Sequence, residues 1–92
     1  MAIKDNIFIL THKACRPCQE ISENLKGKLP VYDIGESDDA FNLIQKGIVN
    51  GVPSAIENRN GKYSKCKIGI TEDGKSIIIE CPNTTLEIEK NE

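Results

Sequence analysis

Ile7-Phe8-Ile9-Leu10 is the first unbroken apolar run in the chain, and it predicts a strand over Asn6 to Leu10. The period then changes. From Cys15 onward, Cys18, Ile21 and Leu25 recur at spacings of three and four, which puts them on one face of a helix that Gly27 stops. Cys18 therefore turns inward while Cys15 stays out. Val31-Tyr32-Asp33-Ile34 reads as a short second strand. Ser37 suits the cap of a second helix carrying Asp38 and Asp39 in its first turn and Phe41, Ile44 and Ile48 as its buried stripe. The two aspartates read as a solvated helix start rather than a catalytic carboxylate pair.

Two hairpin signals follow Val52-Pro53. Asn60-Gly61 and Asp73-Gly74 are both dipeptides that supply the positive φ angles of a tight two-residue turn. They predict a meander of strands over Ser54 to Asn58, Lys62 to Ile70 and Ser76 to Cys81. Ile77-Ile78-Ile79 falls within the last of these as a buried or edge strand rather than a binding patch. In the tail from Asn83 to Glu92, Asn83 and Thr84 resemble caps ahead of Leu86 and Ile88, but the segment is short for a helix. The order is βαβα followed by antiparallel strands. It implies an α/β domain with a mixed sheet of four to five strands and flanking helices.

Size and charge narrow this picture. At 92 residues the chain buries one small core, so a single domain spans residues 1–92. A net charge of −2, with lysines interleaved among acids, gives no electrostatic reason for a nucleic-acid or membrane partner. Met1-Ala2-Ile3-Lys4-Asp5 lacks the long apolar segment of a leader or a membrane span, which points to the cytoplasm. Four cysteines in such a chain argue for redox or metal chemistry over a disulfide framework, hyperthermophile proteins being the exception.

Cys15-Arg16-Pro17-Cys18 carries that chemistry. The first strand ends and the first helix begins at this bend. A helix N-terminus offers unpaired N–H groups and partial positive charge, both of which favour thiolate at the exposed first cysteine. Cys15 is thus the candidate nucleophile. Pro17 suits a first helical turn because it lacks an N–H that would be unpaired there, and Lys13 and Arg16 add positive charge.

With this pair in its strand-to-helix setting, and with Gly47-Ile48-Val49-Asn50-Gly51-Val52-Pro53-Ser54 ahead of the third strand, the chain resembles the thioredoxin and glutaredoxin superfamily from Ile7 to about Lys67. The resemblance implies a thioredoxin-like fold and a redox-active disulfide. Cys15 would attack a substrate disulfide and Cys18 would resolve the mixed disulfide. Pro53 would be cis and lie against the pair, with Arg16, Pro17, Val52 and Pro53 forming the substrate-binding surface. Departures are visible too. Ile9 stands where thioredoxins commonly keep a buried acid, Ala14 replaces an aromatic residue, and Gly69-Ile70-Thr71-Glu72-Asp73-Gly74 suits a turn better than a glutathione site. The strand from Ser76 shortens or replaces the family's closing helix.

A two-residue turn at Asp73-Gly74 makes Cys66 and Cys81 direct neighbours, in a hydrogen-bonded pair whose Cα atoms are about 5.5 Å apart. The same register pairs Lys67 with Glu80, and the Asn60-Gly61 turn sets Ala55 opposite Cys66. Three readings stay open for this second pair: a structural disulfide or two packed thiols, a redox relay with Cys15 and Cys18, or a four-thiolate metal site. His12, three residues before Cys15, reads as an ordinary loop histidine rather than an acid or base. The expected activity is dithiol exchange with protein disulfides by a monomer that needs no resident cofactor or metal, re-reduced by a reductase or a low-molecular-weight thiol. The alternatives are a cysteine-ligated metal-binding module and a non-catalytic binding protein of the same fold.

Overall fold

The computed structural model describes residues 5–90; Met1 to Lys4, and with them most of the segment read above for a leader, lie outside the described residues. Eight elements run in the order β1 (Ile7–Thr11), α1 (Arg16–Leu25), β2 (Val31–Asp33), α2 (Asp38–Gln45), β3 (Ser54–Arg59), β4 (Lys62–Ile70), β5 (Ser76–Glu80) and β6 (Thr85–Glu89). The strands form one mixed sheet in the order β2-β1-β3-β4-β5-β6. β1 pairs parallel with β2 and antiparallel with β3, and the remaining neighbours are antiparallel. The α/β class and the mixed sheet agree with the sequence. The sheet has six strands, however, and not four to five.

The extra strand is β6. Pro82-Asn83 forms a two-residue link across which the Cys81 N–H donates to the Thr84 carbonyl at 2.7 Å. Asn83 donates through both its backbone and its side-chain N–H to Glu57 Oε1, which fixes the link against β3. Thr85-Leu86-Glu87-Ile88-Glu89 alternates polar and apolar residues, so Leu86 and Ile88 face the core together. No C-terminal helix occurs among the described residues.

Alternation sorts the core into two layers. Phe8, Leu10 and Ile56 face α2 through Ala40 and Leu43, while Ile9, Ala55, Cys66, Ile77 and Ile79 face α1 through Ile21 and Leu25. Phe8, Ile9 and Leu10 have no exposed surface, because β1 is covered on both sides. Each such side chain contributes on the order of 2 kcal/mol by leaving water. Phe8 also meets Tyr32 and Tyr63 edge-on, at ring-centroid distances of 5.7 and 6.2 Å. The Tyr32 hydroxyl donates to Asp5; this bond, the burial of the ring and the carboxylate charge all push its pKa up. Ser37 caps α2 as expected, its Oγ accepting the Ala40 N–H at 3.2 Å. The stripe of α2 is turned from the expected one. Ala40 and Leu43 are buried, Phe41 is 44% exposed, and Ile44 and Ile48 are only half-buried. Ala40 and Leu43, at the same spacing one position earlier, sit in the cluster with Phe8 and Leu10, and Ile44 and Ile48 pack at its edge while Phe41 turns out.

The Asn60-Gly61 turn forms with φ of 55° and 86°, and Ala55 lies opposite Cys66. The second turn differs. Thr71 N–H donates to the Ser76 carbonyl and Gly74 N–H to the Thr71 carbonyl, so a four-residue loop, Glu72 to Lys75, replaces the two-residue one. Asp73 holds this loop by accepting from Thr71 Oγ1 at 2.6 Å and from the Lys75 N–H at 2.9 Å, and these two bonds lower its pKa. The hairpin keeps its centre, so Lys67 still faces Glu80 and Ile68 faces Ile79. Its hydrogen-bonding phase is shifted by one. Cys66 and Cys81 consequently occupy a non-hydrogen-bonded pair, in which side chains approach more closely, and their disulfide spans a Cα separation of 4.3 Å.

This bond closes a loop between residues 15 apart. The double replacement Cys66→Ala/Cys81→Ala is expected to lower the unfolding free energy by about 3 kcal/mol in urea titrations, from the entropy returned to the unfolded chain. An unchanged denaturation midpoint would contradict a structural role.

Candidate functional site

The chain leaves β1 at Thr11 and turns through residues 12–15 into α1. Cys15 is the N-cap, with φ −99° and ψ 112°, and its Sγ accepts the Cys18 N–H at 3.2 Å. A sulfur thus fills the position where serine or aspartate oxygens usually satisfy an orphan helical N–H. That bond and the helix dipole both stabilise negative charge on Cys15 Sγ when the thiol is free. No acidic residue stands in the first turn of α1 to oppose them. Pro17 lies within this turn, where its missing N–H costs no bond. Cys18 is 1% exposed, whereas Cys15 is half-buried. The two are joined as a disulfide with a Cα separation of 5.2 Å.

The peptide bond between Val52 and Pro53 is cis. The Val52 carbonyl oxygen lies 3.9 Å from Cys15 Sγ, which brings the segment before β3 against the cysteine pair. The register of the sheet makes this contact: antiparallel pairing sets Ser54, the first residue of β3, opposite Leu10 near the end of β1. Arg16 and Pro17 are exposed beside it. A groove of about 550 Å³ continues from the bend between α1 and β4, lined by Pro17, Ile21, Pro53, Cys66, Ile68 and Ile77 among others. Ile70, 58% exposed, stands at its open side.

The second pair stands apart from the first. Cys66 neighbours Ala55, three residues beyond Val52, or roughly 10 Å along the strand direction. Buried and bonded to Cys81, it does not meet Cys15 or Cys18 in this arrangement. The four cysteines form two separate bonds rather than one tetrahedral cluster. Among the described residues, no group of three or more His, Cys, Asp and Glu side chains is placed to hold a metal ion, and no helix is long and apolar enough to cross a membrane.

One contributor was not singled out from the sequence. Asp33, the last residue of β2, accepts the Lys13 N–H on Oδ2 at 3.1 Å and the Gly35 N–H on Oδ1 at 2.7 Å. His12 accepts the Cys15 N–H on its carbonyl oxygen at 2.9 Å and the Ala14 N–H on Nδ1 at 3.1 Å. Asp33-Ile34-Gly35 carries the local signal of a turn closed by an aspartate side chain. Its reach to Lys13 depends on the parallel register Thr11↔Asp33.

No protein-family model, curated protein or solved structure matches this chain.

In the reduced protein at neutral pH, iodoacetamide is expected to alkylate Cys15 at least about tenfold faster than Cys18, because the thiolate reacts and the buried thiol stays neutral. Peptide mass spectrometry after timed quenching measures this. Equal labelling, or preference for Cys18, would overturn the expectation that Cys15 is the more reactive thiol.

Proposed function

We propose that the protein is a thiol–disulfide oxidoreductase of thioredoxin-like architecture acting on protein disulfides. The observation that carries this reading is the seat of Cys15: capping a helix, hydrogen-bonded by the Cys18 N–H, and bordered by Val52 and Pro53. The parallel β1-α1-β2 unit, the antiparallel β3-β4 hairpin and the Val52-Pro53 segment between them support the likeness to the superfamily. The β5-β6 hairpin then stands where the family closes with a helix.

In the reductive direction, the Cys15 thiolate attacks one sulfur of a substrate disulfide. That bond breaks, the second substrate sulfur leaves as a thiolate, and Cys15 is held in a mixed disulfide. Cys18 gives up its proton and attacks Cys15 Sγ, forming the Cys15–Cys18 disulfide and releasing the first substrate sulfur. Two electrons pass to the substrate, and an external dithiol or low-molecular-weight thiol restores the pair. Exchange needs no group beyond the two sulfurs. The groove sharing Pro17 and Pro53 with the bend gives polypeptide beside the reacting disulfide an apolar surface to lie on. The setting proposed is the cytoplasm, and the acting form a monomer.

The reduced protein should catalyse reduction of insulin disulfides by dithiothreitol, followed as turbidity. Cys15→Ser should fall to the uncatalysed rate, and Cys18→Ser should accumulate a mixed disulfide visible on non-reducing gels. Full activity in Cys15→Ser would refute the proposal.

A further inference from the structure

We infer that Asp33 and His12 are positioning residues for Cys15, and that Gly35 is the residue that lets them do this together. The inference adds specific residues to the proposed exchange site and rests on Cys15 being its nucleophile.

Three successive N–H groups, those of Lys13, Ala14 and Cys15, precede the helix and have no helical partner. The Asp33 carboxylate takes the first, the His12 imidazole the second and the His12 carbonyl the third. Two of the three bonds are therefore made by side chains. Asp33 also accepts from Gly35, so one carboxylate ties the bend after β1 to the turn after β2. At Gly35 the fit is close: a Cβ there would lie 3.1 Å from Asp33 Oδ1 and 3.3 Å from His12 Nε2. Any side chain at position 35 has to displace the carboxylate or the imidazole. The φ of Gly35 is not in the left-handed region, so close packing and not backbone conformation calls for glycine here.

The bend fixes where Cys15 Sγ sits relative to the Cys18 N–H and the Val52 carbonyl. A looser bend costs the thiolate its hydrogen bond. This gives Asp33 an effect opposite in sign to that of its charge. A carboxylate acting through space raises the pKa of a nearby thiol, so deleting it would make Cys15 more reactive. A carboxylate acting as a brace makes Cys15 less reactive when deleted. The other charged side chains around the crevice beneath the bend, whose wall includes Cys18, are Lys13, Glu23, Lys26 and Glu36; Arg16 adds charge on the helix side.

The test follows the rate of Cys15 alkylation by iodoacetamide against pH in the reduced protein, which reads the thiol without any disulfide substrate. Asp33→Ala should slow alkylation at pH 7 by about tenfold and move its midpoint to higher pH, on the scale of one lost charge-assisted hydrogen bond. Gly35→Ala, which removes no charge, should shift both in the same direction. Asp33→Asn keeps one side-chain oxygen as acceptor and should recover part of the rate; it also serves if Asp33→Ala does not fold. Faster or unchanged alkylation in Asp33→Ala, no recovery in Asp33→Asn, or an unaffected Gly35→Ala would each overturn the inference. A wild-type protein that alkylates readily yet fails to reduce insulin would count against the proposed function alone.

Discussion

The burial of β1 on both faces is the constraint on which the site depends. Phe8, Ile9 and Leu10 have no contact with solvent, so the strand cannot slip by one residue without driving each side chain into the wrong layer. Its two neighbours then deliver chain ends by direction alone. β2 runs parallel and brings Asp33 beside Thr11, whereas β3 runs antiparallel and brings Ser54, with Pro53 and Val52 ahead of it, beside Leu10. The bend before α1, the turn after β2 and the segment before β3 thus converge at one end of the sheet. The groups around Cys15 come from these three segments and the first turn of α1, and the groove beside them is lined by α1, β4 and β5.

Electrostatics separates the two sulfurs that this geometry brings together. Cys15 receives an N–H and the positive end of α1 and keeps access to solvent, three effects that favour the charged form. Cys18, one turn further on, is buried, and burial disfavours charge. In the proposed exchange the first thiol attacks and the second waits. Ile9, in the same apolar cluster as Leu25, supplies no acid beneath the pair, and a crevice whose wall includes Thr11, His12, Asp33 and Cys18 lies beside it.

Much of this was legible in the chain. The switch from an apolar run to three-and-four spacing located β1 and α1, Ser37 located α2, and Asn60-Gly61 fixed the β3-β4 register with Ala55 opposite Cys66. What escaped depended on relations between segments. Asp73-Gly74 marks the centre of its hairpin, but Thr71 and Asp73 side-chain bonds selected the longer loop and moved the cysteines into the closer kind of pair. β6 was hidden behind Asn83 and Thr84, which resemble helix caps in isolation, whereas Asn83 belongs to a strand link held by Glu57, 26 residues away. The stripe of α2 slipped by one because a short helix offers two overlapping apolar sets, and the sheet chose the one beginning at Ala40. Asp33 was missed because its partner Lys13 is set by a parallel register that no local pattern encodes.

The central claim is that the fold lowers the pKa of Cys15 and leaves Cys18 neutral. The most direct measurement is a pH titration of the reduced protein, labelled with ¹³C at the cysteine Cβ atoms and followed by NMR. The account predicts a midpoint for Cys15 clearly below the ordinary thiol value of about 8.5, with Cys18 titrating above it. A Cys15 midpoint at or above that value, or a lower one for Cys18, would contradict it.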